Sequence, residues 1–557
     1  MRTRSLPVGQ RTQFQQAVDL FHQGKFDIAA TLCKSALKDS PRDFNARHLL
    51  GVLRSRQGLY EAAAKHIKDA LKINGSIAEA WANLGIVYAT LNRPDEALPC
   101  HERALALGYD PPIAFASYAD CAAAVCDWTK RTRIAERLNT LIRRRMSFPP
   151  FSVLAYLDDP ELLRQCAETY AGDRNRQPPL WKGERWRNDK IKVAYLSSDF
   201  RQHPMAQVMT ELIERHDRSR FEIIGISFGQ DDRSQLRSRI ARAFDRFEDV
   251  TTTSDADVAR RLIQMRVDIA LDLGGYTKGN RSGGILAHRP APVQVSYLYV
   301  GTMGHVDYIL ADEVSLPPEQ QPFYMERIAY LPHCYFPYDR QVSIADRVPT
   351  RQEAGLPERG VVFCSFNNSW KITPAMFDVW MRLLQSEKGS VLWLLRGTKK
   401  AETNLRSEAR ARGIDPRRIV FAPRAQLPDH LARHRLADLS LDTLPYNAHT
   451  TTMDALWMGL PVLTCLGQAF PGRVAGSMLK AAGLPELVTT SMADYEAVAI
   501  DLATRPERLG AIRSKISEAR DAAPLFDTDR LRHSLEAAYT QMWTLWQRGE
   551  APRSFRV

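Results

Sequence analysis

No stretch of this 557-residue chain approaches the ~18 uninterrupted apolar residues that a membrane-spanning helix needs. Met1 to Arg11 carries charges where a secretory leader would carry an apolar core. The expectation is a cytoplasmic chain with no membrane partner. Cysteine is scarce: eight residues, at 33, 100, 121, 126, 166, 334, 364 and 465, with no CxxC pair and no zinc-type cysteine–histidine spacing. These read as reduced, mostly buried thiols. There is also no GxxxxGK[ST] phosphate loop, no GxGxxG fingerprint and no GxSxG elbow, which weakens kinase-like, NAD-dependent and serine-hydrolase readings. The formal charge is +12, yet no RNA- or DNA-reading motif accompanies it, so nucleic acid is not an expected partner. Part of the excess, Arg131, Arg133, Arg137, Arg143, Arg144 and Arg145, crowds one expected helix and reads as a solvated face.

What is present is globular. Hydrophobic residues make up 44% and charged residues 25%, which permits a large core, and the length calls for several domains or a repeat array with a catalytic body. The array is visible as a 34-residue period. Ala29, Ala63 and Ala97 share it, as do Ala36-Leu37, Ala70-Leu71 and Ala104-Leu105. In the same frame Leu50-Gly51 aligns with Leu84-Gly85, Gly24 with Gly58, and Phe26 with Tyr60, while Trp81, Leu84, Gly85 and Tyr88 spell the first helix of a tetratricopeptide repeat. Small residues recur there because paired antiparallel helices must approach closely. Beyond Tyr109 the frame blurs, although Phe115 and Tyr118 fit a further first helix. The expected divisions are a repeat array at 11–125, a helical connector at 126–187, and two Rossmann-like α/β domains at 188–350 and 351–550.

The α/β expectation comes from short β-rich runs alternating with helical stretches: Ile191 to Leu196, Phe221 to Phe228, Val267 to Leu273, Val293 to Tyr297 and Asp307 to Leu310. A second series follows at Val361 to Phe366, Ser390 to Leu395, Arg418 to Phe421, Asp438 to Leu441 and Pro461 to Cys465. Alternation of this kind specifies parallel sheets with crossover helices, whose ligands bind beyond the carboxyl ends of the strands. The fold class is therefore an α-solenoid followed by a pair of Rossmann-like domains, with a donor expected between them.

Four loops after strands carry the chemistry. SSDFRQHP places His203 ahead of a helix, where a pKa near neutrality suits proton transfer, although a lone histidine is more often a packed or capping residue. GGYTKGNR offers Tyr276, Thr277 and Lys278 in a segment that also reads as a tight turn. FNNSWKITP puts Lys371 before a helix start marked by Thr373 and Pro374, where a point charge would meet a departing phosphate. In LDTLPYNAHTTTMDALWMGLPVLT, His449, Thr450, Thr451 and Thr452 open a helix, and Asp454 lies one turn inside, able to hold ribose hydroxyls. Two Asp-x-Asp pairs, Asp255/Asp257 and Asp527/Asp529, raise metal-dependent transfer, but both precede helical patterns, where acids stabilise the helix dipole. No catalytic metal and no cofactor are expected.

These repeats, followed in order by SSDFRQHP, GYTKGNR, HRPAPVQVSYLYVGTMG, FNNSWKI, SVLWLLR, the Asp442 to Asp454 segment and GRVAGS, resemble the O-GlcNAc transferase family, glycosyltransferase family 41, over nearly the whole chain. The resemblance implies a GT-B pair of domains and metal-independent, inverting transfer of N-acetylglucosamine from UDP-GlcNAc to serine or threonine hydroxyls of protein or peptide acceptors. It implies that His203 stands at a disputed position, general base or neighbour of the donor phosphates. It assigns Lys371 and the trio His449, Thr450 and Thr451 to the diphosphate, Asp454 to the ribose, His430 and Arg433 to positions beside the nucleotide, and Ala425 to a backbone contact with uracil. Two positions depart from the animal enzymes, Leu427 replacing a lysine and Asn368 a glutamine near the donor. The groove asparagine survives as Asn83, but Gln15 and Leu49 occupy its equivalents. A fucose transferase using GDP-fucose, and a non-catalytic repeat scaffold that binds a nucleotide sugar, remain open alternatives.

Overall fold

The computed structural model describes residues 12–174, 177–298 and 302–557. Met1 to Arg11, residues 175–176 of the connector and residues 299–301 of the HRPAPVQVSYLYVGTMG segment lie outside the described residues. The chain divides into two compact units, one holding the helical residues up to Ile134 with Gly397–Asn404, the other Ala135–Arg396 with Leu405–Val557.

In the first unit, helices run in hairpins: Gln13–His22 with Phe26–Asp39, Phe44–Arg56 with Tyr60–Ile73, and Ala78–Thr90 with Pro94–Ala106. The period has a backbone cause. A residue of positive φ closes each first helix, Gly24 at 74°, Gly58 at 75° and Asn92 at 58°, and glycine or asparagine enters that region at least cost. Cys126, at φ 52°, continues the series after the helix Pro112–Ala124 and is followed by Arg131–Arg143. The 34-residue frame thus persists past residue 125, where the array was expected to end; it was hidden because a cysteine stands at the turn. Gly51 and Gly85 are the close-approach positions. A Cβ on Gly51 would lie 2.5 Å from Ile67, and one on Gly85 2.7 Å from the His101 ring.

The second unit contains two parallel sheets. The first is built from β1 (Ile191–Ser197), β2 (Phe221–Ser227), β3 (Arg246–Asp249), β4 (Ile269–Asp272), β5 (Val293–Ser296), β6 (Tyr308–Ala311) and β7 (Arg327–Tyr330). The second contains β8 (Val362–Ser365), β9 (Val391–Leu395), β10 (Ile419–Ala422), β11 (Leu439–Leu441), β12 (Val462–Cys465) and β13 (Val488–Thr489), in the order β10-β9-β8-β11-β12-β13. A last strand, β14 (Phe555–Arg556), joins the first sheet, whose order is β14-β7-β6-β5-β4-β1-β2-β3. Central strands such as β4, β5, β8 and β12 are buried at every position, because helices cover both faces of a parallel sheet.

The expected division at 351–550 needs one correction. The helix Thr528–Gln547 returns to the first half: the Tyr539 hydroxyl meets that of Tyr195 on β1 at 3.0 Å, and Glu536 meets His216 Nδ1 at 3.0 Å. With β14 paired parallel to β7, the carboxyl-terminal segment belongs to the first sheet. Nothing local in an amphipathic helix states which of two similar sheets it covers.

Candidate active site

The polar groups converge beyond the carboxyl ends of the strands, as strand-end geometry requires. Chain leaving β8 passes Asn367 and Asn368, makes a short turn over Ser369–Lys371, and enters the helix Pro374–Ser386, capped by the Thr373 side chain. This buries Lys371. Its Nζ donates to the Asn447 carbonyl at 2.7 Å and lies 4.3 Å from the centre of the Tyr446 ring. Burial pulls the Lys371 pKa below the ordinary lysine value, and the Asp442 carboxylate opposes that shift. Burial pushes Asp442 upward in turn.

Asp442, at the end of β11, shapes the loop that faces this lysine. It accepts from the Ala448 amide at 2.6 Å and from the Thr464 hydroxyl at 2.6 Å. The loop delivers His449, stacked on Tyr446 at 4.9 Å, to the N-cap position of the helix Thr450–Trp457. The first intrahelical bonds come from Thr452 and Met453 to the His449 carbonyl, so the amides of Thr450 and Thr451 precede the ladder. Both threonines are half-buried, whereas Thr452 is buried and donates its hydroxyl to the Ala448 carbonyl at 3.1 Å. The threonine run therefore divides into two outward groups and one that braces the loop.

Asp454 is buried and accepts a hydrogen bond from the Tyr338 hydroxyl at 3.1 Å; burial raises its pKa to about 7. Across the second sheet, Asn368 Oδ1 accepts from Arg424 at 3.2 Å, tying the loop after β8 to the loop after β10 that exposes Ala425. On the helix Leu427–Arg433, the Arg433 guanidinium lies 4.7 Å from the Phe366 ring centre and donates to the Pro423 carbonyl and to His430 Nδ1. Burial, then the neighbouring cationic groups, holds His430 neutral by lowering its pKa.

His203 caps the helix Pro204–Glu214, with its Nδ1 accepting from the Met205 amide at 3.2 Å. That bond assigns the proton of the neutral ring to Nε2. Burial lowers its pKa, Asp199 raises it and Arg201 lowers it further. No hydrogen bond joins His203 to Lys371 or to the threonines among the described residues. The preceding residue, Gln202, shares an open groove with Gln426, next to Ala425, which sets the histidine's loop opposite the loop after β10.

The glycine-rich loop is a pinned turn. Asp272, at the end of β4, accepts from the Gly274 and Gly275 amides at 2.9 and 2.8 Å and pins the turn. The Tyr276 hydroxyl donates to the Thr302 carbonyl and that of Thr277 to the Gly274 carbonyl, which commits both protons and leaves both oxygens able to accept. Both side chains wall a cavity of about 70 Å³ with Phe151, Leu154, Tyr446, His449 and Phe470. Sequence reasoning missed Tyr446, Arg424 and Tyr338, which carry no motif signal of their own. In the repeats, Asn83 is engaged by the His48 ring at 3.1 Å. Among the described residues no helix is long and apolar enough to cross a membrane.

A family model described as Glycosyl transferase family 41 matches residues 176–348 and 340–535, and tetratricopeptide-repeat models match residues 14–76 and 78–107. A probable UDP-N-acetylglucosamine–peptide N-acetylglucosaminyltransferase of Arabidopsis thaliana is 34% identical over 460 residues, covering 78% of this chain and 47% of that protein. The UDP-N-acetylglucosamine–peptide N-acetylglucosaminyltransferase of Caenorhabditis elegans is 29% identical over 475 residues, covering 65% of this chain and 41% of that protein. The chain thus spans about half the length, or less, of these curated relatives. Among solved structures, a mutant of the Thermobaculum terrenum O-GlcNAc transferase matches with a TM-score of 0.72 at 26% identity, covering 96% of this chain and 98% of that one.

Proposed function

The chain belongs to glycosyl transferase family 41, and from that premise we propose that it transfers N-acetylglucosamine from UDP-GlcNAc to serine and threonine hydroxyls of proteins. Transfer proceeds with inversion, without a metal ion or cofactor, and in the cytoplasm. The observation that carries this reading is the buried Lys371, held by the Asn447 carbonyl in the loop that leads into a helix start whose Thr450 and Thr451 amides precede the ladder, a set of donors suited to a diphosphate. The relatives' printed names supply the sugar and the acceptor class. The small cavity beside His449, walled by Tyr276, Tyr446 and Phe470, suits the methyl of an acetamido group better than a further hydroxyl.

In the proposed reaction the acceptor oxygen attacks the anomeric carbon from the face opposite the diphosphate. The bond from that carbon to the β-phosphate oxygen breaks, and its electron pair stays on the UDP. Lys371 and the helix-start amides stabilise the charge that develops there. Asp454 accepts a ribose hydroxyl in place of Tyr338. His203 acts as a donor through Nε2–H, since its Nδ1 lone pair is already committed to the Met205 amide; the acceptor proton leaves to a phosphate oxygen or to water. Both Asp-x-Asp pairs have other work: Asp255 pairs with Arg281 and Asp257 with Arg260, Asp527 caps a helix, and Asp529 pairs with Arg215. Eight unpaired, buried cysteines favour a reducing compartment.

Calorimetry with UDP, UDP-GlcNAc and GDP-fucose, followed by a donor-hydrolysis assay in a chelator, tests the proposal. Tight UDP and UDP-GlcNAc binding with UDP release is expected. Preference for GDP-fucose, or binding without turnover, would select one of the alternatives.

A further inference from the structure

A polar groove opens beside the donor site and is used by none of the steps above. One wall is the helix Gln235–Ala243, whose residues Gln235, Ser238, Arg239 and Arg242 fall at positions i, i+3, i+4 and i+7 and so form a single stripe along the groove. The groove's volume is about 840 Å³. Gln202, adjoining His203, and Arg233 extend this wall, while Gln426 and Leu427, adjoining Ala425, stand opposite. The groove therefore begins at the two loops that flank the donor and runs outward.

Its charge is one-sided. Three arginines line it, and the one acid among its lining residues, Asp339, is buried and held by Arg239 at 2.5 Å. Arg239 is further neutralised by Glu214, at 2.8 Å. Arg233 and Arg242 are exposed and have no ion-pair partner among the described residues. Asp231 and Asp232 do not line the groove: Asp232 accepts from the Gln202 and Ser234 amides, and Asp231 approaches Arg237 at 3.5 Å. Two uncompensated cations on a wide, amide-lined floor match an extended chain carrying carboxylates. Resting on the proposed transfer to proteins, we propose that this groove docks an acidic segment of the acceptor polypeptide, flanking the modified serine or threonine.

The test uses the full chain with saturating UDP and two labelled peptides of equal length around one serine, one flanked by four glutamates and the other by four glutamines. Fluorescence anisotropy should show the acidic peptide binding about tenfold more tightly at low salt, since two exposed charge contacts contribute modestly and are screened. The double variant Arg233→Glu, Arg242→Glu should lose that preference while binding UDP and hydrolysing donor as before. Equal binding of the two peptides, an unchanged preference in the variant, or tighter binding of a single-stranded oligonucleotide of matching charge would overturn the proposal. An acidic preference that persists in a chain unable to hydrolyse any nucleotide sugar would leave the docking groove standing and remove the transferase reading.

Discussion

Replacing Lys371 by alanine removes the buried ammonium that contacts the loop before His449 and that is proposed to face the diphosphate. Its Nζ, 2.7 Å from the Asn447 carbonyl and 4.3 Å from the Tyr446 ring centre, sits where water is excluded, so its charge acts at low effective dielectric. A single neutral donor to a developing oxyanion is worth roughly 10²–10³ in turnover, and a buried cation should reach the upper end, about 4 kcal/mol. Stability moves less. The Asn447 carbonyl loses a donor, at about 1–3 kcal/mol, while the cost of burying a cation disappears. The net change should stay within about 2 kcal/mol, a shift of a few degrees in Tm. The assay is donor hydrolysis and peptide transfer by the variant, with circular dichroism to verify folding. Burial lowers the pKa of this lysine, so an arriving diphosphate, by raising it, should draw a proton from solution. UDP binding heats should then vary with the ionisation enthalpy of the buffer, and the proton uptake due to the lysine should be lost in Lys371→Ala. A folded variant with turnover within threefold of the parent, or unchanged proton uptake, would refute the reasoning.

His203→Asn should keep the cap on the Met205 amide and the parental Tm, yet lose transfer, whereas His203→Ala should lose transfer and about 1 kcal/mol of stability; full activity in the asparagine variant would reduce the residue to a cap. Asp454 titrates near 7 in the folded chain against 3.8 ordinarily, so its contribution to stability falls as pH rises from about 4 to 7 and is constant above. Asp454→Asn should flatten that part of the Tm–pH curve, and an unchanged curve would contradict the assignment of buried charge. Donor hydrolysis should survive a strong chelator, with restoration by magnesium or manganese after loss counting against metal-free transfer. Deleting Met1 to Gly108 should spare UDP binding, measured by calorimetry on a folded product, while reducing transfer to protein acceptors.

The repeat array and the succession of central strands along the chain were legible because each has a local cause. A left-handed turn every 34 residues demanded Gly24 and Gly58, and buried parallel strands wrote apolar runs such as Ile269–Asp272. The fourth turn was illegible because Cys126 adopts the same backbone without the residue that announces it. The edge strand β3 is half-exposed and carries charge at three of its four positions, β13 and β14 have only two residues each, and the return of Thr528–Gln547 to the first sheet is set by long-range pairs such as Glu536 with His216. At the site, Lys371, the helix-start threonines and Asp454 were visible as residue types after strands. Their states were not: the lowered pKa of Lys371 comes from burial itself, and the Tyr338 bond to Asp454 and the Tyr276 bond to Thr302 join residues distant in sequence.

The central claim is transfer of N-acetylglucosamine to a protein hydroxyl, and intact mass spectrometry of a serine-containing acceptor protein tests it most directly. The acceptor is incubated with the full chain and UDP-GlcNAc in chelator, and in parallel with GDP-fucose. The account predicts an N-acetylhexosamine adduct and released UDP from the first donor, no adduct from the second, and no adduct from either with Lys371→Ala. A deoxyhexose adduct from GDP-fucose alone, or no adduct from either donor by a parent chain that binds UDP, would contradict it.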